Sequence, residues 1–189
     1  MIKLKDKKIK DVLTISGVII FIFLGVRYIL ASRRDLIFDV ISSLIIIWLF
    51  YKFYNKLHQD WKSCFLLIFA LFLHALFLYG TSPLGIKFEH YMHFIGGFTI
   101  AIITDRAFNE KLGKAKRFIL LLIFALGIGV IGEIIEWGSY KALGIGEGFF
   151  KYGAGDEGQW DNSIFDLLFN SLGASIMAIS TLFRKKDKQ

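Results

Sequence analysis

Residues 12–31 read VLTISGVIIFIFLGVRYILA, and the only charged side chain in the run, Arg27, stands near its end. The stretch matches the ~20 apolar residues that span the hydrocarbon core of a bilayer. A Lys-rich start precedes it, as in a secretory leader. The run is too long for a leader's apolar region and lacks a small-x-small cleavage pattern, so it reads as a retained anchor. Five more apolar runs follow, at 36–54, 64–80, 88–107, 118–138 and 163–183. Together they predict an all-α membrane protein, a bundle of about six transmembrane helices in a single domain over 1–189. A Gly-rich loop is expected over 139–162.

Composition agrees. Of 189 residues 55% are hydrophobic and 21% charged, with 20 Phe among them, and the mean hydropathy is +0.56. Soluble chains sit near ~45–50% apolar, and a soluble fold of this size could not hide so much apolar surface. The single cysteine, Cys64, excludes an internal disulfide and any Cys-based zinc cluster. The net charge of +7 would suit nucleic acid, but the basic residues lie at the chain ends and between apolar runs, where anionic headgroups attract them. No nucleic-acid partner is expected. With six alternating spans, seventeen of the 23 Lys and Arg fall on the side of the N-terminus. Five fall opposite (Arg33, Arg34, Lys87, Lys141 and Lys151), and Arg27 lies within a span. This asymmetry places both termini in the cytoplasm of a plasma or inner membrane.

Ionisable groups inside hydrocarbon are costly and mark function by default. On this topology polar groups collect in the outer half: His74 in the third span, Glu89, His90 and His93 in the fourth, Glu133 and Glu136 in the fifth, Asn162, Asp166 and Asn170 in the sixth. Residues three or four apart share a helix face. Glu89, His93 and Gly97 form one stripe; Gly129, Glu133 and Glu136 form a second; Asn162, Asp166, Asn170 and Gly173 form a third. The glycines on these stripes suit close helix approach.

Carboxylates with imidazole suit a divalent metal, Mg, Mn, Zn or Fe, held as in helical-bundle metal sites. The expected ligands are His93, Glu133, Glu136 and Asp166, with Glu133, Glu136 and Asp166 as the catalytic candidates. Glu89, His90, Asp161, Asn170 and His74 are expected behind them, Glu89 orienting His93 and both Glu89 and His90 lying nearer the rim. The plainer reading of each residue taken singly is polar glue between helices. Gly153, Gly155 and Gly158 match a dinucleotide-binding spacing, but no strand precedes them and Asp156 and Glu157 would repel a pyrophosphate.

The run Glu89-His90-Tyr91-Met92-His93-Phe94, then Glu133-x-x-Glu136-Trp137, then Asp161 and Asp166-Leu167-Leu168-Phe169-Asn170-x-x-Gly173-Ala174 resembles the VanZ-like membrane proteins, most nearly their YjdF-type inner-membrane branch. The resemblance covers about 85–175. It departs in spacing, since Asp161 and Asp166 are five apart rather than four. It implies a multi-pass envelope protein; one branch of the group confers teicoplanin resistance. Three functions follow as expectations: a metal-dependent hydrolase or transferase acting on an outer-leaflet lipid or lipid-linked substrate, a cation-coupled transporter, and a non-catalytic envelope-binding protein. The inner halves of the last three spans (FTIAII, LLLIFAL, SIMAIS) are almost wholly apolar, which argues against a through-path.

Overall fold

A computed structural model describes residues 2–76, 81–108, 112–143 and 159–183. Among the described residues there are six helices: α1 Ile2–Leu30, α2 Arg34–Phe53, α3 Trp61–Ala75, α4 Phe88–Ala107, α5 Lys114–Leu143 and α6 Gln159–Phe183. Among the described residues no strand is present beyond one isolated bridge, Thr81 to Lys87. The helices overlap the six apolar runs but extend past several of them. The Lys-rich start is the first part of α1, and α5 and α6 run into the expected 139–162 loop from both sides. The remainder of that loop, 144–158, with Gly153, Gly155 and Gly158, lies outside the described residues.

Among the described residues, four segments are long and apolar enough to cross a membrane: Asp6–Leu30, Leu36–Phe53, Lys114–Gly138 and Asp161–Phe183. Helix α3 has 15 residues, or about 22 Å of rise against ~30 Å of hydrocarbon. Helix α4 is long enough but carries Glu89, Asp105 and Arg106. Its position explains this: from Phe88 to Ala107 no residue is exposed, so α4 is shielded by its neighbours. The other long helices carry the opposite pattern, with large apolar side chains facing outward. Ile19 is 61% exposed, Phe23 68% and Ile134 59%. Apolar surface on this scale is stable only against lipid or another apolar partner.

Contacts between helices fix their directions. Lys10 of α1 lies over the Tyr51 ring of α2, while Gly25 of α1 meets Val40, so α1 and α2 are antiparallel. Thr14 lies beside Cys64 and Tyr28 donates to the Ala75 carbonyl, so α1 and α3 are parallel. Asp60, at the start of α3, pairs with Arg106, near the end of α4. Glu133 of α5 meets Ser163 of α6, and Lys114 of α5 meets Leu182. The six helices therefore alternate up and down. One end gathers the start of α1, the end of α4 and the start of α5; the other gathers His74, Glu89, Glu136 and Asn162.

Phe21, Leu24, Leu36, Val40 and Ile47 form a core among α1, α2 and α3, and Ala101, Leu121, Ala125, Ala174 and Ala178 form one among α4, α5 and α6. In the second, α4 and α6 touch backbone to backbone. A Cβ on Gly97 would lie 2.1 Å from the Asn170 carbonyl oxygen, and one on Gly173 would lie 2.0 Å from that of Phe94. Only glycine admits this approach. It brings the polar stripes of α4 and α6 into direct contact.

Candidate metal centre

Asp166 is the hub. It is fully buried, one and two helical turns before the Asn170 and Gly173 contacts with α4. His90 Nδ1 lies 3.0 Å from its Oδ1, His93 Nε2 lies 3.5 Å from the same oxygen, and Asn162 Nδ2 donates to Oδ2 at 2.9 Å. Asn170 Nδ2 lies 3.2 Å from His93 Nδ1. One ligand atom each from Glu89, His93 and Asp166 lie within 4.8 Å of one another, a carboxylate–imidazole–carboxylate set that suits a divalent cation.

The geometry rearranges the expected set. Glu89, expected behind His93, joins His93 and Asp166 in the convergent group, because i, i+4 spacing puts it one turn above His93 on the face turned to α6. Glu133 and Glu136 do not belong to that group. Glu133 Oε2 accepts from Ser163 Oγ at 2.7 Å, whereas its Oε1 is buried with no hydrogen-bond partner. Glu136 is 6% exposed and lies within Coulombic range of Glu133, Glu89 and Asp166. Both line the same interior next to the convergent group.

His90 is not at the rim. It is 6% exposed, its ring stacked on Phe169 with centroids 4.9 Å apart. The hydrophobic Phe165–Phe169 face of α6 holds it there, a pairing invisible in either helix alone. Asp161 is exposed. Five residues separate it from Asp166, which rotates it about 140° away on the helix, so it stands outside the cluster. His74 pairs with buried Asp39 at 3.2 Å and so belongs to the α2–α3 contact, within Coulombic range of His93. Ser163 was not singled out from the sequence. Its place three residues before Asp166 on the inward stripe is the signal that could have found it.

The ionisable residues at the opposite end are engaged differently. Arg117 Nε donates to Asp105 Oδ1, and Arg106 pairs with Asp60. Asp60 also caps α3: Ser63 N–H donates to its Oδ1 at 3.0 Å, and its own N–H donates to Ser63 Oγ at 3.3 Å, a reciprocal capping box. Partial burial works against ionisation of the Asp60 carboxyl, but the hydrogen bonds from Arg106 and Ser63 outweigh it and hold its pKa below the ordinary 3.8.

An alternating bundle with apolar flanks and a buried carboxylate–histidine interior defines an integral membrane protein. Residues 10–187 match the family described as "Predicted membrane protein (DUF2238)", and the chain belongs to that family. No curated protein and no solved structure matches it.

Proposed function

We propose that this is a multi-pass protein of the plasma or inner membrane, a bundle of about six transmembrane helices with both termini cytoplasmic. At its outer end it binds a divalent cation and acts as a hydrolase or transferase on an outer-leaflet lipid or lipid-linked substrate. The topology rests on the charge asymmetry and the alternating helices. The observation that carries the site is the convergence of Glu89, His93 and Asp166 within 4.8 Å inside the bundle. The kinship with VanZ-like, YjdF-type envelope proteins carried by the Glu89–His93, Glu133–Glu136–Trp137 and Asp166 motifs belongs to the same proposal.

Glu89, His93 and Asp166 would hold the cation, of which Mg, Mn, Zn and Fe are the candidates, and a bound divalent ion supplies a water acidic enough to attack an ester near neutral pH. Glu133 and Glu136 are the carboxylates beside it, and the orphaned Glu133 Oε1 is placed to accept a proton. Asn170 suits either state of His93. Its amide can donate to an unprotonated Nδ1, or, turned over, its carbonyl can accept from Nδ1–H when Nε2 is a ligand.

The test is thermal unfolding in detergent with elemental analysis of the purified protein. Chelation is expected to lower Tm and one divalent ion to restore it, by about 2.7 kcal/mol at a hundredfold excess over Kd. Glu89→Gln and His93→Ala should each abolish that response. No metal and no chelator response would leave the cluster as polar glue and end the catalytic reading.

A further inference from the structure

Next to this cluster lies a second feature that the metal reading leaves unused. A groove of about 510 Å³ opens between the end of α3, the turn around Leu84 and the outer half of α4. Its walls include Leu73, Leu84, Phe88, Tyr91, Met92 and Ile95. The volume falls within the ~300–1,000 Å³ of small-ligand sites, yet the lining offers almost nothing that could hydrogen-bond a polar ligand. Polarity appears where Tyr91 and Ser82 bring their hydroxyls to 3.3 Å.

Helix periodicity ties the groove to the cluster. Phe88, Tyr91, Met92 and Ile95 are spaced i, i+3, i+4 and i+7, one stripe of α4, whereas Glu89 and His93 occupy the stripe about 100° around the same turns. One helix therefore serves both. A molecule with its apolar part along the first stripe would have its polar end within a side chain's reach of the second. In a membrane protein the medium bathing such a groove is hydrocarbon, and the occupant that matches an apolar trough beside a carboxylate–histidine cluster is a single-tailed stretch of a membrane lipid.

We propose that this groove holds the apolar chain of a phospholipid and so sets the substrate class of the adjacent site. The assignment rests on reading Glu89, His93 and Asp166 as the reacting end.

The experiment uses the full chain in phosphatidylcholine vesicles doped with a phospholipid carrying a diazirine in its acyl chain, irradiated and mapped by peptide mass spectrometry. Labelling at Met92 and Ile95 is expected to exceed that at Ile19 and Ile131 at least threefold, although the latter two are 61% and 57% exposed and would dominate if labelling followed exposure. Met92→Trp, and independently Leu73→Trp from the opposite wall, should reduce groove labelling at Ile95 at least threefold while the Mn²⁺-dependent rise in Tm is unchanged. Labelling that follows exposure, or that persists in both filled variants, overturns the groove. Enriched labelling in a protein that shows no response to Mg²⁺, Mn²⁺, Zn²⁺ or Fe²⁺ keeps the groove and overturns the metal reading instead.

Discussion

At the end of the bundle where α4 finishes and α5 begins, carboxylates face guanidinium groups: Asp105 meets Arg117, and Asp60 meets Arg106. At the other end Asp166 is met by two imidazoles and an amide, and among the described residues no Lys or Arg pairs with Glu89, Glu133 or Glu136. Removing a charge from water costs several kcal/mol per ion. The first arrangement offsets that cost within the protein and gains a fixed contact between helices. The second gathers carboxylates around imidazole and amide groups instead, the arrangement on which the proposed cation site rests. Acidic residues inside helices of one bundle thus divide into those fastened by guanidinium groups and those gathered around imidazole.

The sharpest way to break this comparison is to delete one partner at the paired end. Arg117→Met removes the guanidinium that donates to the Asp105 carboxylate, itself 3% exposed. A loss of about 3–5 kcal/mol is expected, read as a fall in Tm in detergent, with Asp105→Leu in the same chain recovering most of it. If the double variant is no better than the single one, the pair is not the fastener.

Next in size is the interface that carries the cluster. Gly173→Ala forces α4 and α6 apart and should cost about 3 kcal/mol, with loss of the divalent-ion response. Gly132, in α5, has nothing within 4 Å of a Cβ. Gly132→Ala should be neutral or stabilising by up to ~1 kcal/mol through helix propensity. Equal melting of the two variants would remove the special status of the α4–α6 contact.

The acidic end predicts the opposite sign from Arg117→Met. Glu136→Gln takes one charge from a group of like charges, so stability without cation should be unchanged or higher, within about 1 kcal/mol. A loss as large as that of Arg117→Met would show Glu136 to be a fastener as well.

The smallest effect concerns pH. The Asp60 carboxyl is held below its ordinary 3.8 in the folded protein, so its contribution is fully present above the unfolded value and fades as pH falls through the folded one. Asp60→Asn keeps a side chain able to cap α3. Its Tm should fall less steeply than wild type as pH drops below about 4, measured by thermal scans at graded pH. Parallel curves would remove Asp60 from the acid response.

Much of this was legible beforehand in the sequence. The Glu89–His93 and Asn162–Asp166–Asn170 stripes pointed inward because i, i+4 spacing sets a face regardless of what it meets. Gly97 and Gly173 stood on those stripes for the same reason. The convergent grouping was not legible. Whether Glu89 or Glu133 joins His93 was decided by Ser163, which engages Glu133, and by Asp166, whose depth along α6 is level with Glu89 and His93. His90 was misplaced because its pocket is made by Phe165 and Phe169 of another helix.

The sequence by itself determined the class of protein, the helical runs and the faces that turn inward, since hydrophobicity and a 3.6-residue period are properties of each segment alone. Tertiary structure alone decided the partners: that Asp105 and Arg106 fasten helices while Glu89, His93 and Asp166 converge, and that no residue of α4 is left fully exposed. Those outcomes depend on the relative height and rotation of helices packed at backbone contact, which the glycines of α4 and α6 permit and no single segment encodes.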